Sequence, residues 1–158
     1  GALPGLCQVL ARLKEGTCLN APIAALDGIV TLREKGKCSR PAYGDIALII
    51  ETLMQNAQFQ RHLVNLYLLL GRLHASEGVL SPAVEALDKG YAISPRADIA
   101  LLQVRWLASA GLYDDALRYV VLARAANAQH ALTGQIYEKQ INDWESALRR
   151  VKNPNAGR

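Results

Sequence analysis

A chain of 158 residues with 18 Lys and Arg against 14 Asp and Glu, a formal charge of +4, has one domain's worth of length and a mild basic excess. Half of its residues are hydrophobic, but the longest uncharged apolar run, HLVNLYLLLG over 62–71, falls well short of the ~20 residues that a membrane-crossing helix needs. Aromatic residues make up only 6% and are not interleaved with the basic clusters Arg33, Lys35, Lys37, Arg40 and Arg149, Arg150, Lys152, Arg158, so composition gives no support to a nucleic-acid stacking platform and reads the clusters as solvated surface.

Leu and Ala fill 49 positions against 22 for Val, Ile and Thr, which sets local preference toward an all-α chain. Apolar spacing at three and four residues marks eight helices in chain order. The first covers Gly5–Glu15 and is broken by Gly16 and Thr17. The second covers Ala21–Lys35, with Asn20 as N-cap and Pro22 in its first turn. The others cover Asp45–Ala57, Gln60–Ser76, Pro82–Ile93, Ala97–Ala110, Asp114–Ala126 and a long final helix, His130–Val151. Connections of two to seven residues turn successive helices antiparallel, giving four hairpins in one domain over 1–152 with a frayed tail at 153–158. The chain opens on Gly without an initiator Met, which leads us to expect an upstream signal or membrane segment in the parent protein.

Residues 64–96 written above 97–129 place Arg72 over Arg105, Gly78 over Gly111, Leu80 over Tyr113, Ala83 over Ala116 and Leu87 over Val120. A constant offset through both helices of a hairpin is the mark of stacked helical repeats, in which each pair buries its apolar face against its neighbours. Residues 64–96 resemble a tetratricopeptide repeat. Tyr67 stands at the large aromatic position, Leu70 and Gly71 at the Leu-Gly pair, Gly78 at the turn, Ala83 at the small position of the second helix, Leu87 at the bulky site after it and Pro95 at the close. Small residues at Gly71 and Ala83 let two backbones approach to about 8–10 Å. Gly111, Tyr113, Ala116 and Ala123 continue the pattern in the second unit. There Gln103 and Val104 replace the Leu-Gly pair, Ala128 replaces the Pro, and the period is one residue short of the family's.

The resemblance implies a right-handed solenoid of stacked hairpins, 1–58 being divergent helices and 130–151 a capping helix. It also implies a non-catalytic module that binds another protein or the rest of its own longer chain. First helices of successive repeats line the family's concave face, which here receives Asn65, Leu68 and Arg72, then Asp98, Leu101 and Arg105, with Trp106 turned toward the same face by the one-residue shortfall. Two arginines one repeat apart favour an acidic segment, since a planar guanidinium grips a carboxylate bidentately. As a whole, a helical chain with stray cysteines and no native start is also similar to the C-terminal extracytoplasmic region of bacterial membrane polymerases and ligases that handle O-antigen or pilin glycans. That likeness implies an accessory domain on the periplasmic or extracytoplasmic side, membrane-associated only through a missing N-terminal segment. A cytoplasmic scaffold is the alternative, and a free-standing enzyme has no motif behind it.

Cys7, Cys18 and Cys38 contain no Cys-x-x-Cys and no His at ligand spacing, so we expect no zinc, other metal or cofactor. In an antiparallel first hairpin a helix of about 15 residues, roughly 22 Å, separates Cys18 from Cys38, whereas a disulfide needs Cα atoms within about 7 Å. Cys7 and Cys38 are then the pair in an oxidising compartment; three reduced cysteines packed as small apolar side chains are the alternative. His62, His74 and His130 fall on different helices with no triad spacing, and His74 reads as a satisfied interior ring. Asp114 and Asp115 open a helix, where they meet the positive end of its dipole.

Overall fold

The structure is a computed structural model that describes residues 22–37, 42–130 and 136–154. The expected helix at 5–15 and all three cysteines, with the Cys7 and Cys38 pairing, lie outside these residues. Among the described residues the chain is all-α, with seven α-helices: α1 (Pro22–Glu34), α2 (Tyr43–Met54), α3 (Leu63–Ser76), α4 (Leu80–Ile93), α5 (Ala97–Ser109), α6 (Tyr113–Ala128) and α7 (Glu138–Lys152). A short 3₁₀ helix, Ala57–His62, precedes α3. None of these helices is long and apolar enough to cross a membrane. The chain divides into two compact units between Ala86 and Leu87, a boundary that falls inside α4.

In the first unit α1 and α2 both pack on α3, and the 3₁₀ helix lies against α2 and α3. Its core draws Leu26, Ile29 and Val30 from α1, Ile46, Ile49, Ile50 and Leu53 from α2, Phe59 from the 3₁₀ helix, and Leu66, Leu69, Leu70 and Leu73 from α3. Each large aliphatic side chain removed from water contributes roughly 1.5–3 kcal/mol. The expected helix over 45–57 stops at Met54 because Asn56 takes an extended backbone and its Oδ1 accepts the N–H of Gln58 at 2.9 Å, which starts the 3₁₀ turn instead. That turn absorbs the first residues of the expected helix over 60–76.

In the second unit α5 and α6 form a hairpin, and α7 packs on α6 with a lesser contact to α5. Ile99, Ala100, Leu101, Val104 and Leu107 of α5 are buried, as are Ala116, Val120, Ala123 and Ala126 of α6. On α7, Ile141 and Leu148 are buried and Trp144 half-buried, one stripe at i, i+3 and i+7 with charged residues opposite. This stripe begins only after Glu138, so the final helix is shorter than the expected 130–151, and Ile136–Tyr137 form a turn before it.

Three helices end in the same way. Gly78 and Gly111 have φ of 75° and 77°, conformations open to glycine at little cost. At the end of α3 the Val79 N–H bonds the His74 carbonyl (3.0 Å) and the Gly78 N–H bonds that of Ala75 (3.0 Å). At the end of α5 the Leu112 N–H bonds the Leu107 carbonyl (2.9 Å) and the Gly111 N–H bonds that of Ala108 (3.0 Å). These are Schellman caps, each satisfying two orphan carbonyls; Gly36 closes α1 with the same pair of bonds. The offset of 33 between Gly78 and Gly111 continues into the following helices, where Ala83 and Ala116 are both 0% exposed and Leu87 and Val120 are buried.

Candidate functional site

The seven expected groove residues lie on two helices, one in each unit. Asn65, Leu68 and Arg72 stand at i, i+3 and i+7 on α3, with Asn65 exposed, Leu68 half-buried and Arg72 facing α1. There Asp27, Thr31 and Glu34 form a matching stripe at i, i+4 and i+7. The Arg72 guanidinium spans all three: Nη2 and Nε bond the two Glu34 oxygens at 2.6 and 3.2 Å, Nη1 bonds Asp27 Oδ1 at 2.7 Å, and Nη2 bonds Thr31 Oγ1 at 3.1 Å. The Glu34 hydrogen bonds, more than any other interaction, hold its pKa above the ordinary arginine value. Four of its five N–H donors are engaged, and two carboxylates face one guanidinium. The charge left at this face is negative, which disfavours an acidic ligand.

Two further pairs tie the first unit's polar edge together. Arg33 bonds Glu77, and the Tyr43 hydroxyl is hydrogen-bonded to Nδ1 of the His74 ring at 2.5 Å, with the rings edge to face at 5.7 Å. Burial lowers the His74 pKa against a smaller upward pull from Glu51, and burial also raises that of Tyr43. The pair matches the expected satisfied ring. Its partner, 31 positions away, has no sequence signal.

On α5, Leu101 is 7% exposed and belongs to the buried set; Trp106 is half-buried; Arg105 is exposed and has no ion-pair partner among the described residues. Asp98 is held bidentately by Arg96, Nε to Oδ1 at 3.0 Å and Nη2 to Oδ2 at 2.6 Å. That bond is the largest cause of the raised Arg96 pKa. Further along α5 the fully buried Gln103 donates to Asp88 Oδ1 at 2.8 Å, and the Tyr119 hydroxyl donates to the same oxygen at 2.8 Å. Burial first, then this hydrogen bond, holds the Tyr119 phenol well above its ordinary range, so it remains a donor. The break in the repeat pattern at Gln103 thus has a physical reason: the amide that replaces Leu supports a carboxylate.

Sequence reasoning missed a small cavity in the second unit, about 100 Å³ in volume, where Arg96, Ala97 and Asp98 at the start of α5 meet Asn127 and His130 after α6 and Ile136 and Tyr137 before α7. Asn127 is 7% exposed and lines this cavity. Asn127 falls one residue beyond the expected helix over Asp114–Ala126, and its burial has no sequence signal. Among the described residues no cluster of three or more His, Cys, Asp or Glu side chains is placed to hold a metal ion. No family model, curated protein or solved structure matches the chain.

Proposed function

We propose that this chain is a non-catalytic protein-binding scaffold of the tetratricopeptide type, a right-handed row of antiparallel hairpins with about eight helices once its N-terminal segment is counted. The observation that carries the reading is the paired local geometry at an offset of 33: two glycine caps with the same φ and the same two backbone bonds, each followed after five residues by an alanine with no exposed surface. A repeat that stacks on its neighbours needs both a fixed turn and a small contact residue at the same step of every unit. The polar clusters of both units consist of structural ion pairs and a protonated tyrosine, arrangements suited to holding helices in place.

Arg105, exposed and unpaired among the described residues, is the groove residue free to meet an acidic segment, whereas Arg72 is engaged with α1. Selection of a random peptide library on the full chain is expected to enrich an acidic consensus whose affinity falls at least tenfold with Arg105→Glu. A library that yields no consensus, or one held equally by the variant, refutes the groove.

A further inference from the structure

We infer that the cavity framed by Arg96, Asp98, Asn127 and Tyr137 is a pocket for an uncharged carboxamide, the side-chain head of a glutamine or asparagine in a partner segment. The partner rests on the scaffold reading; the pocket rests on its own chemistry. Asn127 is more than nine-tenths buried and lines the cavity, where its amide offers a donor and an acceptor. A ligand offering both an acceptor and a donor meets both ends of that amide. A second carboxamide offers both in one plane.

The charged wall favours the same group. Asp98 takes two of the five Arg96 N–H donors, leaving three on the guanidinium, while each Asp98 oxygen keeps a further lone pair. The two charges cancel. An anion drawn to Arg96 meets the Asp98 carboxylate beside it, and a cation drawn to Asp98 meets the guanidinium. A neutral group whose carbonyl faces Arg96 and whose NH₂ faces Asp98 uses both without repulsion. Tyr137, with a hydroxyl able to donate or accept, lines the same cavity.

Size and apolar surface complete the match. At about 100 Å³ the cavity is smaller than the ~300–1,000 Å³ of pockets that enclose whole small molecules, so it admits a head group rather than a metabolite. Ala97 and Ile136, the latter 70% exposed, supply apolar contact for the methylene stem of such a side chain.

Backbone NMR of the ¹⁵N-labelled full chain, titrated with N-acetylglutamine amide and with N-acetylglutamate, tests the pocket. The expected result is a saturable shift at Ala97, Asn127 and Tyr137 with the carboxamide, at least fivefold weaker with the carboxylate. Asn127→Ala should abolish it. Tyr137→Phe, a change of one hydroxyl, should weaken it threefold or more and serves if the first variant unfolds. Equal or tighter binding of the carboxylate, no saturable shift in the folded wild type, or unchanged affinity in a folded variant overturns the proposal. Loss of carboxamide binding in a chain that still selects peptides removes the pocket and leaves the scaffold standing; carboxamide binding without peptide selection does the opposite.

Discussion

Replacing Arg72 with Met keeps most of the apolar stem over α3 and removes four hydrogen bonds to α1 in one step. A well-buried charge-assisted hydrogen bond contributes about 1.5–3 kcal/mol, an exposed ion pair about 0.2–1 kcal/mol. The Arg72 side chain is 21% exposed, but Glu34 and Asp27 are 37% and 57% exposed, so solvent screens both pairs and the exposed-pair range applies to each. With the bidentate Glu34 pair at the upper end of that range and the Thr31 bond added, the expected loss is about 2 kcal/mol. The two released carboxylates reach water, so no buried unpaired charge enlarges it. Urea unfolding followed by far-ultraviolet circular dichroism should show the midpoint falling by about 1 M, taking a slope of roughly 2 kcal/mol per M. Both tryptophans, Trp106 and Trp144, belong to the second unit. Their fluorescence therefore shows whether that unit unfolds with the first or separately. A cycle with Glu34→Gln should return a coupling of about 1 kcal/mol that shrinks in 1 M salt. A loss below about 0.5 kcal/mol at low salt would refute the view of Arg72 as a strut between α1 and α3.

Gly78→Ala and Gly111→Ala should each cost about 1–2 kcal/mol in urea unfolding, because nothing lies within 4 Å of the added Cβ and the penalty is that of positive φ alone; Gly111→Asn should cost less than Gly111→Ala, and equal costs would count against the cap. Ala116→Leu, at a site with no exposed surface, should lower stability by about 1–3 kcal/mol through overpacking, and a neutral result would show the contact to be loose. The His74 ring is held by burial below its ordinary 6.5, so the unfolded chain binds its proton more readily than the folded one. Its contribution is complete above about pH 6.5 and is lost as pH falls through the window beneath. The stability difference between wild type and His74→Phe should therefore narrow from pH 7.5 to 5.5, and a widening difference would reverse the sign argued here.

Helix positions were legible where the sequence carries punctuation. The glycines at 78 and 111 place the ends of α3 and α5 within a residue of expectation, because a cap that needs φ above zero leaves a residue-level trace. Boundaries without such a mark drifted: Asn56 started a 3₁₀ turn within an apparently continuous pattern, and the final helix began eight residues late. Helical phase placed Asn65, Leu68 and Arg72 on one side of α3, but phase says nothing of what a neighbouring helix offers. The partners of Arg72 lie 38 to 45 positions earlier in the chain. For the same reason Leu101 looked available until α5 was seen with its neighbours, and the cavity, assembled from three separate stretches, had no single motif to announce it.

Helix α4 runs unbroken from Leu80 to Ile93 while the compact units part between its residues 86 and 87. A fragment cut at that point would begin or end halfway along a rod, with half the backbone bonds of that rod severed and too few residues left in either stub to hold a helical form in water. Anyone dissecting the chain should let both pieces share Leu80–Ile93. Proteolysis should spare the same span, because its backbone is held in a continuous helical ladder of hydrogen bonds.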